Sequence, residues 1–215
     1  MNPFRLIGDL LHITAILLLL FKIKNDRSCN GISLKSQILY SVVFTTRYLD
    51  LFVSHYSYYN TMMKIIYLCA SYYIIYLITV KFKFTYDKEH DNFRIHFLII
   101  PCAILSLFLY DRTTNDTILE ILWTFSIFLE SVAILPQLFL LQRTGEVESL
   151  TSNYIICLGG YRAFYFLNWI YRIFTEDFSG MLVMFAGVIQ TILYCDFFYY
   201  YFKSKWLGNK LVLPQ

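Results

Sequence analysis

The chain has 215 residues, of which 58% are hydrophobic, 20% are aromatic and only 15% are charged. A soluble domain usually carries about 25% charged residues, so this composition excludes an ordinary soluble domain and predicts a membrane protein. The formal net charge of +3 is too small to predict binding to nucleic acid. The five cysteines have no C-x-x-C spacing, so we expect neither a disulfide framework nor a zinc site, and we expect no metal or cofactor.

Seven apolar stretches follow one another along the chain, each roughly long enough to cross a bilayer. They lie near residues 3–21, 34–53, 59–80, 95–110, 117–141, 150–174 and 180–202. We therefore predict an all-α membrane protein with seven transmembrane helices in residues 1–202 and a cytosolic tail in residues 203–215. The first stretch lacks a basic leading region and a small-residue cleavage site, so we expect a retained helix and not a cleaved signal peptide.

The loops that carry lysine and arginine predict the orientation of the chain. Several lie in the first loop, the third loop and the tail, while the fifth loop has Arg143, the fourth has only Arg112, and the second and sixth have none. Because cytosolic loops are enriched in lysine and arginine, the C-terminus is predicted to be cytosolic and the N-terminus luminal. Membrane lipids are then expected partners of the apolar helix surfaces.

Two short runs indicate an internal repeat. Ser33–Gln37 opens the second stretch and Ser149–Asn153 opens the sixth, and Arg47 and Arg162 follow at nearly the same offset. This pattern predicts two parallel three-helix repeats, about residues 1–80 and 117–202, joined by a linker helix at about 95–110. Parallel repeats of this kind occur in the small sugar-transporter fold.

The fifth stretch, 117–141, is apolar but carries a line of polar and aromatic residues. On a helix, residues seven apart lie about 20° apart around the axis, so Trp123, Glu130 and Gln137 form one stripe with Glu120 close to it. A polar stripe of this length cannot face lipid. We expect 117–141 to form one helix whose stripe faces protein or water.

Five charged residues from five predicted helices fall at similar luminal depth: Arg5, Arg47, Lys64, Glu120 and Arg172. Each arginine alone could reach the headgroups or form a structural ion pair. Together they indicate a water-filled cavity for a ligand with about three negative groups and one positive group, which suits an acidic peptide better than a sugar or a lipid. Asp9 and Asp50 are expected to neutralise two of the arginines, with Arg47 and Asp50 three residues apart on the second helix.

Long runs of residues stand out at Arg47–Phe52, Leu119–Ser126, Leu129–Phe139 and Gln190–Tyr199. These runs resemble the KDEL receptors, which bind the retention signal of ER proteins, and the similarity extends over nearly the whole chain. The resemblance implies a seven-helix fold related to the PQ-loop and SWEET transporters. It also implies a receptor, not an enzyme, that captures escaped ER proteins in the acidic cis-Golgi by a KDEL- or HDEL-like C-terminal tetrapeptide. The receptor would return them to the ER in COPI-coated vesicles and release them at neutral pH.

The resemblance also implies roles for individual residues. Arg5, Arg47 and Arg172 match the arginines that bind the carboxylates of the signal, and Glu120 matches the partner of its lysine. Further pocket residues by this comparison are Trp123, Tyr165 and Trp169, with Tyr48, Lys64 and Asn168 beside them.

His12 is the candidate for the pH sensor that the resemblance implies, because histidine titrates in the range between the two compartments. Its protonation would add positive charge beneath an anionic ligand and could reorder hydrogen bonds with Glu130 and Tyr161. The alternative is a neutral histidine packed in the bundle.

The C-terminal end carries the expected transport signals. Lys203 and Lys205 match a coat-binding lysine motif for COPI, and Asp196 matches a position that affects transport. The spacing in the tail departs from that of familiar members, and the fourth loop is longer by a few residues. Asn115 in that loop begins a glycosylation sequon that abuts the membrane.

Two other functions fit parts of the sequence. A PQ-loop/SWEET-type transporter would need polar contacts through to the cytosolic side, whereas these charges cluster at the luminal end. An intramembrane aspartyl protease would need Asp50 and Asp196 to meet, but they are predicted on opposite sides.

Overall fold

The computed structural model describes residues 2–53, 57–114, 116–176, 180–208 and 211–213, which are helical almost throughout. The α-helices are α1 (Pro3–Asn25), α2 (Leu34–Arg47), α3 (Tyr58–Tyr76), α4 (His96–Leu109), α5 (Thr117–Val132), α6 (Leu135–Thr144), α7 (Ser149–Glu176) and α8 (Met181–Leu207). Turns of 3-10 helix cover Tyr48–Phe52 and Lys83–Thr85, and a π-helical turn, Leu77–Lys81, continues α3. Strands β1 (Glu146–Val147) and β2 (Leu211–Val212) pair antiparallel.

Four helical segments within the described ranges are long and apolar enough to cross a membrane: α1, α3 with its π-helical turn, α5 continued by α6, and α8. In the most apolar part of the α5–α6 segment 56% of the residues are buried, against 33–39% in the other three. The α5–α6 segment is therefore the most enclosed of the four. The prediction of an all-α membrane protein is confirmed, while seven crossings stay a prediction; α4, with 14 residues, is shorter than a typical span.

Two of the predicted helices are interrupted, which corrects the sequence-based picture. α2 ends at Arg47 and a 3-10 turn follows, so Asp50 does not continue the helix that carries Arg47. The stretch 117–141 is not one helix, because α5 ends at Val132 and α6 begins at Leu135. Pro136 explains the second break: a proline ring clashes with the carbonyl four residues earlier, which here belongs to Val132.

The helices pack with α1 along α7, α2 against α3 and α5, and α8 against α7 and α5. We call the end of the bundle that carries Arg5, Lys64 and Glu120 the pocket end, and the opposite end, with Gln137 and the two strands, the tail end.

Hydrogen bonds join several helices at the tail end. The Gln137 side chain accepts from the backbone N–H of Ser33 at 2.8 Å and donates to the Gly31 carbonyl at 2.8 Å. The buried Lys22 ammonium lies 2.7 Å from the Glu148 carboxylate, which ties α1 to the start of α7. The polar stripe of α5 and α6 therefore ends in protein contacts and not in lipid.

Candidate functional site

Three adjoining cavities lie at the pocket end and share the side chain of Arg47. The inner cavity, of about 270 Å³, lies among α1, α2, α3 and α7 and includes Arg5, Lys64 and Tyr165 in its wall. The side cavity, of about 320 Å³, lies among α5, α7 and α8. The outer cavity, of about 910 Å³, lies where α2 and α4 end and α5 and α8 begin. Arg47 is the last residue of α2, and the 3-10 turn begins immediately after it.

Glu130 is the buried anion at the centre of this site. Its carboxylate pairs with both Arg47 and Arg162, and it accepts a hydrogen bond from the Tyr161 hydroxyl at 3.1 Å. The Glu130 residue is only 2% exposed and Arg162 7%. A buried charge of this kind is tolerated because partners of opposite charge and further hydrogen bonds surround it. Arg47 makes one more contact, a 3.0 Å hydrogen bond from its Nε to Ser126.

Arg162 is the site residue that the sequence analysis missed. It appeared there only as a member of the repeat, although its position after Tyr161 on α7 brings it to the same carboxylate as Arg47. The shared offset of the two arginines was the signal that could have indicated a shared partner.

Among the residues that the structure describes, neither aspartate forms an ion pair with an arginine, contrary to expectation. Asp9 accepts hydrogen bonds from the hydroxyls of Tyr59, at 2.8 Å, and Tyr165. Asp50 pairs with Lys64 at 2.6 Å, because the 3-10 turn after α2 carries it toward α3. The carboxylate that neutralises Arg47 is Glu130.

Arg5 lies in the first turn of α1, and Asn168 lies about two turns before the end of α7. Arg5 donates to the side-chain oxygen of Asn60 at 2.8 Å, and Asn2 donates to that of Asn168 at 2.6 Å. Asn168 is buried in this contact and does not line the three cavities, whereas Arg5 lines the inner cavity. Tyr48 also lines the inner cavity.

His12 forms part of the wall of the inner cavity. Its ring lies between those of Tyr67 and Tyr161, with centroid distances of 4.3 Å and 4.2 Å. Because the Tyr161 hydroxyl donates to Glu130, His12 is one ring away from the central carboxylate. The histidine is 6% exposed.

The remaining predicted pocket residues are divided among the cavities. Glu120 lines the outer cavity, and Trp123 lines both the outer and the side cavity. Trp169 lines the inner and the side cavity. Arg172 lines the side cavity and pairs with Glu176 at 2.6 Å. The structure thus brings most of the predicted residues to one end but distributes them around Arg47.

Comparison with known proteins identifies the family. A family model described as ER lumen protein retaining receptor matches residues 28–172. The chain is 65% identical to the ER lumen protein-retaining receptor of Dictyostelium discoideum, with 100% of both chains covered. It belongs to the ER lumen protein-retaining receptor family. The receptor of Drosophila melanogaster and receptor 2 of Homo sapiens are each 58% identical over 100% of both chains.

Membership of the ER lumen protein-retaining receptor family makes this chain a retention receptor and not an enzyme. The structure also places the two aspartates of the protease alternative at opposite ends of the bundle. Asp50 lines the outer cavity at the pocket end, whereas Asp196 lines a groove at the tail end.

The tail end of this family member carries the predicted transport residues on a helix. α8 continues to Leu207, so Lys203 and Lys205 do not lie in a free tail, and both are exposed. Asp196 is also exposed and lines a groove of about 230 Å³ together with Leu213. Beyond α8 the chain returns and β2 pairs with β1. The predicted sequon residue Asn115 lies outside the described residues.

Proposed function

We propose that this chain binds the C-terminal KDEL- or HDEL-like tetrapeptide of soluble ER proteins in the acidic Golgi and releases it at neutral pH in the ER. The observation that carries the proposal is the cavity system at the pocket end, where Arg5, Arg47, Lys64 and Arg172 line two adjoining cavities that share the Arg47 side chain. These cations match a ligand with two acidic side chains and a terminal carboxylate.

Arg47 is the proposed partner of the terminal carboxylate. A guanidinium has five N–H donors, and here one bonds Ser126 and another pairs with Glu130, so donors remain for a ligand carboxylate. Arg47 is also the side chain common to all three cavities. Arg5 and Arg172 would hold the acidic side chains of the signal, and Glu120 its lysine.

His12 is the proposed pH sensor. The charged and titratable groups around it include Asp9 on its own helix, Arg47 from α2, Tyr67 from α3, Glu130 from α5, and Tyr161 and Arg162 from α7. The same cavity is also lined by Arg5, Tyr48, Tyr59, Lys64 and Tyr165. A protonated His12 adds a positive charge beside two arginines, and an anionic ligand offsets that repulsion. By linkage, a ligand that favours protonation of His12 is bound more tightly where His12 is protonated, which is in the more acidic compartment.

Two parallel three-helix repeats are the proposed architecture, and the helix packing supports it. If α1, α2 and α3 correspond to α5 with α6, α7 and α8, then the contact of α1 with α7 corresponds to that of α5 with α2. The contact of α2 with α3 likewise corresponds to that of α7 with α8.

We further propose seven crossings with the pocket end luminal and the tail end cytosolic. The receptor would then cycle between cis-Golgi and ER in contact with membrane lipids. Lys203 and Lys205, exposed on the last turns of α8, are the proposed contacts for the COPI coat, with Asp196 on the same helix. The bonds of Gln137 and Lys22 that join the helices at the tail end do not favour a PQ-loop/SWEET-type transport path.

Peptide binding to the purified full-length protein tests the proposal. We expect a peptide ending in Lys-Asp-Glu-Leu to bind more tightly at mildly acidic than at neutral pH, and binding to be lost with an amidated peptide and with Arg47→Ala. Arg94→Ala, an exposed arginine in the loop between α3 and α4, is the matched control. Peptide binding that is unchanged by amidation of the terminal carboxylate and by Arg47→Ala would refute the proposed function.

A further inference from the structure

The outer cavity is larger than the inner one and carries the opposite charge. Its charged lining consists of Arg47, Asp50, Asp111, Asp116 and Glu120. Arg47 is already paired with Glu130 and Asp50 with Lys64. The charge that this cavity presents to a ligand therefore comes from the carboxylates of Asp111, Asp116 and Glu120.

Asp111 is held in a defined position by its own loop. Its carboxylate accepts hydrogen bonds from the backbone N–H of Thr113 at 2.9 Å and from the Thr113 hydroxyl at 2.7 Å. These bonds lower the pKa of the Asp111 carboxyl below its usual range, because they favour the charged form. A carboxyl with a lowered pKa stays ionised at mildly acidic pH. Its attraction for a cation therefore persists under the conditions in which the receptor is proposed to bind.

A second observation, independent of the acidic side chains, points to a ligand in the same cavity. Thr124 lies one turn after Glu120 on α5, lines the outer cavity and is 0% exposed. Its hydroxyl oxygen has no hydrogen-bond partner among the residues that the structure describes. A buried hydroxyl without a partner is unfavourable, and a peptide group entering the cavity could supply one.

The outer cavity also borders the place where the signal is proposed to end. Arg47 lines it together with the inner and side cavities. A peptide whose terminal carboxylate meets Arg47 and whose first signal residue meets Glu120 has to continue outward past Asp111 and Asp116. The residues that precede the tetrapeptide then lie among these carboxylates.

We propose that the outer cavity is a subsite for the two residues that precede the tetrapeptide, and that it prefers lysine or arginine there over aspartate or glutamate. This inference rests on the proposed function, since it assigns the upstream part of the same ligand. It gives the fourth loop a role in choosing among retained proteins that share one signal.

The test uses the purified full-length protein and three hexapeptides ending in Lys-Asp-Glu-Leu, preceded by Lys-Lys, Ala-Ala or Glu-Glu. At low salt and mildly acidic pH we expect Lys-Lys to bind about tenfold more tightly than Glu-Glu, with Ala-Ala between them. The difference should shrink at about 1 M salt, where the Debye length is about 3 Å. Asp111→Asn combined with Asp116→Asn should bring the ratio toward one, and Glu89→Gln, an exposed carboxylate in the loop between α3 and α4, should leave it unchanged.

Thr124→Val tests the second observation. The valine is nearly isosteric and removes only the hydroxyl, so we expect no loss of unfolding temperature and roughly fivefold weaker peptide binding. Equal affinity for the Lys-Lys and Glu-Glu peptides, a preference that survives the double aspartate variant, or unchanged binding to Thr124→Val would each overturn the subsite. Failure of all three hexapeptides to bind would instead refute the proposed function, and this inference with it.

Discussion

Arg47 and Arg162 bind opposite oxygens of one buried carboxylate, that of Glu130. The two arginines follow Ser33 and Ser149 at nearly the same offset, so residues at corresponding places of the proposed repeats meet at one point. Glu130 thereby joins α2 to α7 through α5. A ligand carboxylate that competes for Arg47 would weaken this connection, which links ligand binding to the packing of the bundle.

Removal of the Glu130 carboxylate is predicted to lower the free energy of unfolding, and a second substitution at Arg162 is predicted to restore part of it. Glu130→Leu leaves two arginines facing each other, of which Arg162 is buried, and we expect a loss of about 3–5 kcal/mol in unfolding free energy. The double variant Glu130→Leu/Arg162→Leu should lose less, because it removes the buried unpaired cation. Unfolding in detergent measures both, with Glu89→Leu as a control that should change little. A double variant less stable than Glu130→Leu would contradict the ion-pair account.

Replacement of His12 is predicted to remove the dependence of peptide binding on pH. His12→Asn keeps a polar side chain but cannot gain a proton, so we expect the affinity at mildly acidic pH to fall to the level seen at neutral pH. The measurement is a binding titration across that pH range, with His96→Asn, exposed at the start of α4, as the control. An unchanged pH profile for His12→Asn would place the sensor elsewhere.

Gly187 is predicted to set the position of Trp169. A Cβ on Gly187 would lie 2.7 Å from the Trp169 ring, whereas one on Gly160 would approach Leu11 no closer than 3.4 Å. We expect Gly187→Ala to cost about 1–3 kcal/mol in stability and to weaken peptide binding, because the ring must shift in the cavity wall. Gly160→Ala should be neutral or stabilising by up to about 1 kcal/mol, as alanine favours helices.

The combination Gly187→Ala/Trp169→Leu separates the ring contact from other causes. The smaller side chain makes room for the new methyl group, so the double variant should be more stable than the sum of the single effects. Simple additivity of the two losses would show that the Trp169 contact is not the reason for the cost.

Gln137 is predicted to support stability without taking part in binding. Gln137→Leu leaves the Ser33 N–H and the Gly31 carbonyl without their partner, and we expect a loss of about 2–4 kcal/mol. Gln142→Leu, five residues further along α6 and partly exposed, is the matched control. Peptide affinity measured well below the unfolding temperature should be that of the unchanged protein; a selective loss of affinity would argue for a path through the tail end.

The pairing of β2 with β1 after α8 is predicted to depend on the buried leucine side chains in and beside β2. Leu211 and Leu213 are 6% and 4% exposed, while Val212 between them is 56% exposed. Leu211→Asp should release the strand and raise hydrogen exchange of β1 and β2, because a carboxylate replaces a buried apolar side chain. Val212→Asp should leave the exchange rates unchanged. Equal exchange in the two variants would mean that the pairing does not depend on this packing.

Much of the fold was predictable from the sequence because its causes are local. The stretch near 3–21 corresponds to Pro3–Asn25 and the stretch near 180–202 to Met181–Leu207, since length and hydropathy indicate such helices directly. The break after Val132 was also a local event, and Pro136 was its signal in the sequence. The end of α2 at Arg47 has no comparable signal, because neither proline nor glycine follows within the 3-10 turn.

By itself, the sequence determined that this chain is an apolar helical membrane protein with a polar stripe on its fifth stretch and cations on several helices. Only the tertiary structure decided which charges pair: Asp50 with Lys64, and Glu130 with Arg47 and Arg162. The physical reason is that an ion pair forms between groups a few ångströms apart, and its strength falls with distance and rises with burial. Which side chains come that close is set by how α2, α3, α5 and α7 pack, and spacing along one helix carries no information about it.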